Sequence, residues 1–344
     1  MIKRIDIGDL FKLNQDVVII DVRTPSEYSH AHIVNSINLP IFTDEERVQI
    51  GTTYKRKGRE EAILLGFDLT GKKWRAFIEN ALQIAPDKKV LIHCWRGGMR
   101  SGAMAWILDF YGFEVLVLNG GYKQYRNWVL KQFAKDYPFC VLGGMTGSHK
   151  TEILKELAVK GEQVIDLEDL AQHLGSAYGS LNKLIQPSQE QFENMLAQQL
   201  SNVNIHKRIW IENESSLIGK ISIPPDILKQ IKSARLVELR IDKEQRVKFL
   251  TEEYGMLDKN FLIESTQKIQ KRFGPEQTKD AINAIQENRI EDFIRIVLIY
   301  YDKTYTNGIL NRDATNCFPL SIEFDNVQNT AQQVIAFANN NNLT

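Results

Sequence analysis

The stretch KVLIHCWRGGMRSGAMAWILDFYGFEVLVLN, residues 89–119, decides the fold of the first third of the chain. It contains two nearly continuous apolar runs, Lys89–Cys94 and Glu114–Asn119, which are typical of strands buried on both faces. Between them, Ser101–Tyr111 carries apolar residues at helical spacing and ends at Gly112. A strand, a loop, a helix and a strand in this order predict a parallel α/β sheet.

A domain boundary follows this sheet. The segment KQFAKDYP, residues 131–138, is polar and ends in proline, and strand and helix patterns then alternate again from Phe139. The stretch from Lys243 to Asp302 is rich in helix formers and predicts a helical region. We therefore predict an α/β protein with one parallel-sheet domain at residues 1–132 and a second α/β domain at residues 138–344.

Composition narrows the class of protein. The 344 residues are 43% hydrophobic and 25% charged, which is typical of a soluble globular chain of about two domains. No apolar run reaches the ~18 residues that a membrane span needs, and the N-terminus has no apolar secretory segment. Basic and acidic residues balance at 43 each, so only a local patch could bind nucleic acid. Three cysteines without paired spacing predict a reducing, cytoplasmic setting.

The first chemical motif surrounds Cys94, the last residue of a predicted strand. Glycines let the next loop curl, so that its N–H groups and the following helix start can bind an anion and lower the pKa of the thiol. We predict a nucleophilic Cys94 in an anion-binding loop formed by Trp95, Arg96, Gly97, Gly98, Met99, Arg100 and Ser101. The spacing from Cys94 to Arg100 equals the Cys-x5-Arg of cysteine phosphatases, which keeps a phosphatase open as an alternative.

The second motif, GMTGSHKT, nearly matches the P-loop pattern Gly-x-x-x-x-Gly-Lys-Ser/Thr between a predicted strand and a predicted helix. Lys150 would reach phosphate oxygens, and Thr151 would hold Mg²⁺. His149 stands where glycine is usual, and we expect its imidazole to point away from the bound anion. The predicted phosphate-binding residues are Gly144, Met145, Thr146, Gly147, Ser148, His149, Lys150 and Thr151.

Polar residues end two strands that should neighbour this loop. The run RIWIENES, residues 208–215, predicts a strand that ends in acids, and Glu212 or Glu214 could hold a metal or order water. Asp166, Glu168 and His173 follow the second strand of the domain, where they would face the same cleft and contact substrate or metal. The identity of any metal stays open. No Asn-Lys-x-Asp element is present, which weakens a GTPase interpretation.

Several motifs together resemble one family. The Cys94 loop and the upstream DVRTPSEYSHAHIVNSINLP, residues 21–40, are similar to the rhodanese pattern. Motifs along nearly the whole chain occur in the same order as in the tRNA 2-selenouridine synthases, which the chain resembles. It departs from the family pattern at His149 in the P-loop, and at Leu174, where the family usually has arginine. The matching segments are Glu45–Gly66, Cys94–Ser101, Asn119–Arg126, Gly144–Thr151, Asp166–Gly179, Ile211–Gly219 and Tyr300–Tyr305. This resemblance implies a rhodanese-like domain followed by a P-loop NTPase-like domain.

The resemblance also implies a function. The family replaces sulfur by selenium in 5-substituted 2-thiouridine at the wobble position of tRNA, with selenophosphate as donor, and S-geranylates the base from geranyl diphosphate. Cys94 would be the nucleophile, and Trp95–Ser101 would hold selenophosphate oxyanions or a perselenide. Gly144–Thr151 would bind the diphosphate, with a nucleotide as the alternative. The implied partners are the tRNA anticodon loop and a selenophosphate synthetase, with no membrane, and Mg²⁺ is a candidate cofactor.

Basic residues suggest where tRNA would bind. The candidates for contacts to the RNA backbone are Lys55, Arg56, Lys57, Arg59, Lys123 and Arg126. Trp95 and Tyr122 could stack a flipped base or belong to the core.

Two rival functions remain open at this point. One is a rhodanese or phosphatase fused to a P-loop kinase-like domain that acts on a small molecule. The other is a regulatory protein whose altered P-loop only binds a partner. Copurified tRNA would favour the tRNA enzyme over both.

Overall fold

The computed structural model describes residues 1–13, 16–173, 178 and 185–343. The chain divides into two compact units. The first comprises Met1–Gln132 with Ser188–Gln198, and the second comprises Phe133–Pro187 with Gln199–Thr344. The division after Gln132 falls in the polar segment expected to end the first domain. Residues 188–198 also belong to the first unit, which differs from the expected division. The reason is that they bond to its core: Glu190, for example, accepts a hydrogen bond from the Tyr122 hydroxyl at 2.7 Å.

The first unit is built on a five-stranded parallel sheet with the order β1-β5-β4-β2-β3. Its strands are β1 (Lys3–Ile5), β2 (Val18–Asp21), β3 (Ile37–Asn38), β4 (Lys89–His93) and β5 (Glu114–Leu118). The parallel α/β prediction is therefore confirmed. Because β4 is the central strand, Cys94 emerges at the middle of the carboxyl edge of the sheet, where open α/β sheets bind ligands.

Seven helices accompany this sheet in the described part of residues 1–133, and the segment Ser188–Gln198 adds most of a further helix, Gln189–Asn202. The seven are α1 (Ile7–Leu10), α2 (Pro25–His30), α3 (Asp44–Lys57), α4 (Arg59–Thr70), α5 (Trp74–Ile84), α6 (Met99–Tyr111) and α7 (Gly121–Phe133). The helix α6 ends, as predicted, at Tyr111, and its C-cap Gly112 has a φ of 103°, in the left-handed region that favours glycine. Buried Ile92, Met104 and Val115 join the sheet and α6 in one core.

The second unit has its own five-stranded parallel sheet, with the order β12-β11-β6-β8-β7, and a short antiparallel pair. The strands are β6 (Phe139–Gly144), β7 (Gln163–Ile165), β8 (Ile209–Glu212), β9 (Leu217–Ile218), β10 (Ile221–Ser222), β11 (Arg235–Ile241) and β12 (Cys317–Ile322). All residues of β6 are buried. The strand β6 pairs with β8, and this pairing brings the ends of both strands together.

The helices from Lys150 onward are α8 (Lys150–Val159), α9 (Leu167–Ala171), α10 (Gln189–Asn202), α11 (Pro225–Ser233), α12 (Lys243–Gly255), α13 (Lys259–Lys268), α14 (Gln270–Phe273), α15 (Pro275–Gln286), α16 (Ile290–Leu310) and α17 (Val327–Asn340). The predicted helical region corresponds to α12 through α16 and has its own core around Leu250, Phe293 and Leu298. Across the described ranges, every helix is too short or too polar to cross a membrane.

Candidate active sites

The thiol of Cys94 lies at the floor of the loop between β4 and α6. Its Sγ atom accepts a hydrogen bond from the Gly98 N–H at 3.3 Å and lies 3.3 Å from the Ser101 hydroxyl oxygen. Only 4% of the residue is exposed. The loop therefore wraps the sulfur with donors, as predicted for an anion-binding loop.

The pKa of Cys94 is lowered although burial acts to raise it. Hydrogen bonds from the side chain and backbone of Ser101 and from the backbone of Arg96 outweigh burial, and the charge of Arg100 adds to them. A lowered pKa increases the thiolate fraction at neutral pH, and the thiolate is the nucleophilic form of cysteine. The geometry thus suits the nucleophile expected from the sequence.

Two glycines allow this loop to pack against the start of α7. Gly97 and Gly121 have φ values of 64° and 57°, where side chains are strained. A Cβ on Gly121 would lie 2.2 Å from the Cys94 carbonyl oxygen. The N–H of Tyr122 donates to that carbonyl at 2.9 Å, and the N–H of Lys123 donates to the Trp95 carbonyl at 2.9 Å. The segment Asn119–Arg126 therefore acts as the backbone support of the cysteine loop.

The Arg100 side chain is bound to a neighbouring carboxylate, which the sequence alone did not indicate. Its guanidinium forms two hydrogen bonds with Glu27, at 2.5 and 3.2 Å, and 15% of the side chain is exposed. Arg100 keeps its place in the loop and its charge lowers the pKa of Cys94, while Glu27 holds its guanidinium in position. Arg96, by contrast, is exposed.

The candidate RNA contacts separate into exposed and internally bonded residues. Lys55, Arg56 and Lys57 form the last turn of α3, and Arg59 opens α4; these residues and Lys123 are exposed. Arg126 pairs with Glu193 and donates to the Asn194 side chain at 2.6 Å, with 14% of its side chain exposed. Arg126 is therefore corrected to a structural residue, because its guanidinium N–H groups already bind Glu193 and Asn194 within the first unit.

The two aromatic candidates for base stacking also differ. Tyr122 is fully buried, and the Arg23 guanidinium lies 3.9 Å from its ring centroid. The core alternative for Tyr122 is therefore confirmed. Trp95 remains 38% exposed beside the cysteine loop. It is the aromatic side chain of this pair that a base could reach.

The GMTGSHKT segment forms the turn between β6 and α8, as predicted for a P-loop. The Lys150 ammonium donates to the Gly144 carbonyl at 2.8 Å, and the Ser148 hydroxyl is buried without a hydrogen-bond partner among the described residues. Gly147 has a φ of 82°, and a Cβ there would lie 2.9 Å from Leu250. Lys150 is thus held close to the loop at whose amides a phosphate group would bind.

His149 adopts a conformation that usually favours glycine, with a φ of 55°. Its ring packs against Phe249 and Phe324, at centroid distances of 4.5 and 4.9 Å, and its Nδ1 atom lies 3.5 Å from Glu152. The aromatic contacts of the ring supply a physical reason for histidine at this position. They also favour the expectation that the imidazole does not face the anion.

Replacement of His149 by glycine should leave diphosphate binding within about twofold of the wild type. Glycine relieves the left-handed strain, worth roughly 1–2 kcal/mol, while loss of the ring contacts costs about 0.5–1.5 kcal/mol each. His149→Ala is the control, since it loses the contacts and keeps the strain, so its free energy of unfolding should be lower than that of His149→Gly. Calorimetric titration with geranyl diphosphate and urea unfolding provide the two measurements. A large loss of affinity in the glycine variant at low pH alone would instead mean that the imidazolium binds the ligand.

Three carboxylates collect beside the P-loop. Oxygens of Glu168, Glu212 and Glu214 all lie within 4.8 Å of one another. Burial and the neighbouring acids raise the pKa of Glu212 well above its usual range and that of Glu214 to about 7. The Thr151 hydroxyl donates to Glu168 at 3.2 Å. The pairing of β7 with β8 thus brings together acids that are 46 positions apart along the chain (168 to 214).

The other predicted cleft residues are placed as follows. Asp166 caps α9 by accepting from the Asp169 N–H at 2.8 Å, and burial raises its pKa. Its charge also raises the pKa of Glu212, so it faces the same cluster. The His173 N–H donates to the Glu168 carbonyl at 3.1 Å, and the side chain is half-buried. Leu174, the second departure from the family pattern, lies outside the described residues.

The sequence did not reveal an ion pair that braces the P-loop. Arg246 of α12 forms two hydrogen bonds of 2.8 Å with Asp302 of α16 and donates to the Thr146 carbonyl at 3.1 Å. The Arg246 side chain is 4% exposed. Asp302 belongs to the YYDKTY segment, so its motif was recognised but its role was not. The helical region therefore contacts the phosphate-binding loop directly.

Replacement of Asp302 by asparagine should lower the free energy of unfolding and raise the KM for geranyl diphosphate. Removal of one partner from a buried ion pair costs roughly 3–5 kcal/mol, because the other charge stays buried. Asp292→Asn on the same helix is the control, since its pair with Arg289 is about half exposed and should contribute less than about 1 kcal/mol. Urea unfolding and steady-state kinetics measure the two effects. Equal behaviour of the two variants would contradict the bracing role.

Comparison with known proteins assigns the chain to a family. A model described as the tRNA 2-selenouridine synthase AAA domain matches residues 137–335, and a rhodanese-like domain model matches residues 9–127. A tRNA 2-selenouridine synthase of Hydrogenovibrio crunogenus is 33% identical, covering 85% of this chain and 89% of its own length. The chain belongs to the tRNA 2-selenouridine synthase family. The resemblance derived from the motifs is thereby confirmed.

Other members of the family align over different lengths. The tRNA 2-selenouridine synthase of Bdellovibrio bacteriovorus is 38% identical, covering 69% of this chain and 63% of its own length. That of Shewanella frigidimarina is 33% identical, covering 83% of this chain and 87% of its own length. Both family models match the two-domain order predicted from the sequence, with the rhodanese-like domain first.

Proposed function

We propose that this chain replaces sulfur by selenium in 5-substituted 2-thiouridine at the wobble position of tRNA. The donor is selenophosphate, and the reaction passes through an S-geranylated base made from geranyl diphosphate. The observation that carries the proposal is the pairing, within one chain of this family, of a buried thiol of lowered pKa with a separate P-loop. Each step of the reaction then has its own anion-binding loop.

The first step alkylates the thiocarbonyl sulfur. The sulfur attacks C1 of geranyl diphosphate, the C–O bond breaks, and diphosphate leaves with the electron pair while the base loses its N3 proton. The P-loop amides and the Lys150 ammonium stabilise the charge that develops on the diphosphate. Alkylation converts a poor leaving group into a thiol, which prepares C2 for substitution.

The second step introduces selenium. The Cys94 thiolate attacks phosphorus of selenophosphate, the P–Se bond breaks, and hydrogen selenide leaves; water later cleaves the S–P bond and releases phosphate. Selenide then adds to C2 of the geranylated base, and geranyl thiolate departs. A perselenide on Cys94 would need an oxidant, because selenium in selenophosphate is already at the selenide level. The loop N–H groups around Cys94 suit the oxygens of the bound donor.

Nucleoside mass spectrometry of tRNA tests the proposal. Incubation with geranyl diphosphate alone should yield the S-geranyl base, and further addition of selenophosphate should yield 2-selenouridine. A tRNA that lacks the 2-thio group is the control and should stay unmodified. Unchanged 2-thiouridine in all reactions of the folded, tRNA-bound protein would overturn the proposal. The proposed protein partner is a selenophosphate synthetase, which makes the donor.

The exposed basic residues at the α3–α4 junction are the proposed tRNA-backbone contacts, together with Lys123. Each phosphate contact contributes about 0.7–0.9 to the slope of log K against log salt. Removal of Lys55, Arg56 and Lys57 should therefore reduce that slope by about 2, measured by filter binding between low and moderate salt. The matched control removes Lys271, Arg272 and Lys279, which are equally exposed and carry the same charge. An equal change in both triple variants would show a general charge effect and contradict this surface.

A further inference from the structure

The cluster formed by Glu168, Glu212 and Glu214 carries more negative charge than its surroundings compensate. The three carboxylates lie within 4.8 Å of one another, and Asp166 also faces Glu212. Lys150 is a nearby cation, and its ammonium already donates a hydrogen bond to the Gly144 carbonyl. Carboxylates this close repel one another strongly unless a cation or protons compensate them.

Glu212 supplies an independent observation. It is 1% exposed, and both of its carboxylate oxygens are buried without a hydrogen-bond partner within the described part of the chain. An unpartnered buried carboxylate is costly, and native proteins satisfy such groups through a hydrogen bond, an ion or a metal. As the last residue of β8, Glu212 is held on a rigid strand next to the P-loop strand. The orphaned oxygens face the other two acids of the cluster.

The chemistry of the donors selects the class of ion. Carboxylate and hydroxyl oxygens are hard ligands, which suit Mg²⁺ or Mn²⁺ rather than a thiophilic metal. We propose that Glu168, Glu212 and Glu214 bind one divalent cation of the Mg²⁺ class through their carboxylate oxygens. The Thr151 hydroxyl, which donates to Glu168 at 3.2 Å, is positioned to join the site from the P-loop.

This site differs in composition from one made by the P-loop threonine alone. Three acids, one in α9, one at the end of β8 and one just after β8, provide enough charge to bind the cation before any diphosphate arrives. Once diphosphate is bound, the cation would neutralise charge on its oxygens; this role rests on the proposed function. Binding of the cation to the protein alone does not rest on it.

Manganese binding to the full chain without tRNA or diphosphate tests the proposal. Free Mn²⁺ is counted by electron paramagnetic resonance during titration of wild type, Glu212→Gln and Glu214→Gln. Loss of a direct ligand should weaken binding at least about tenfold, since even an outer-sphere partner contributes 10–100-fold. The matched control is Asp169→Asn, which removes an exposed neighbouring charge from the first turn of α9 without removing a proposed ligand. We expect its affinity within about threefold of wild type.

Thermal unfolding with and without Mg²⁺ is the second measurement. Mg²⁺ should raise the Tm of wild type and of Asp169→Asn, because a ligand that binds only the folded state stabilises it. It should leave the Tm of Glu212→Gln unchanged. Equal Mn²⁺ affinity of wild type and both glutamine variants, or no Mn²⁺ binding by wild type, would overturn the site. Either result would leave the tRNA assay unaffected, so failure of the cation site is distinguishable from failure of the proposed function.

Discussion

Replacement of Cys94 by serine should abolish 2-selenouridine formation while S-geranylation of the same tRNA continues. A serine hydroxyl fits the loop, but it is not ionised at neutral pH and is a far weaker nucleophile than the thiolate. The loss should exceed about 10³-fold, as for removal of other covalent nucleophiles. Nucleoside mass spectrometry with both co-substrates measures the two products in one sample. Because Cys94 belongs to the first unit, the P-loop of the second unit should be unaffected.

Two variants control this result. Cys317→Ser should be neutral, since Cys317 is partly exposed and its pKa is raised by burial. Ser101→Ala removes a hydroxyl that lowers the pKa of Cys94. The midpoint of the pH profile for iodoacetamide alkylation should therefore move to higher pH, because less thiolate exists at any given pH. Undiminished 2-selenouridine in Cys94→Ser would refute the nucleophile.

Replacement of Lys150 by alanine should act on the opposite step. The variant loses the ammonium that is held at the P-loop, and with it a charge-assisted hydrogen bond to diphosphate worth about 1.5–3 kcal/mol. The KM for geranyl diphosphate should therefore rise roughly 10–150-fold. Selenium transfer to tRNA that is already geranylated should be preserved. Steady-state kinetics on the two substrates separate these outcomes.

Lys155→Ala is the matched control for this variant. Lys155 lies on the same helix, is exposed, and lies more than one turn beyond the loop. Its removal should change the KM for geranyl diphosphate less than about twofold, because exposed charges are well screened. If Lys150→Ala and Lys155→Ala behave alike, the P-loop does not bind the diphosphate.

Local patterns predicted the sheet strands well where the runs were long and apolar. The strand pattern expected from Phe139 onward is observed as β6, which begins at that residue, and the predicted strand Lys89–Cys94 is shorter by one residue. The edge strand β1 was missed, because its three residues carry no pattern and pair with β5 only through tertiary contact. The assignment of residues 188–198 to the first unit was missed for the same reason. A helical pattern states which face is apolar but not which sheet it packs against.

The amino-acid sequence by itself determined the two α/β domains, the position of Cys94 and the P-loop at strand ends, and the family. These follow from periodicity and from short motifs, whose residues are neighbours along the chain. Only the tertiary structure decided which charges are compensated. It paired Arg100 with Glu27, Arg126 with Glu193 and Arg246 with Asp302, and it left the buried Glu212 carboxylate without a hydrogen-bond partner among the described residues. The physical reason is that ion pairing depends on distance in space, and strand order sets that distance for residues that are far apart in sequence.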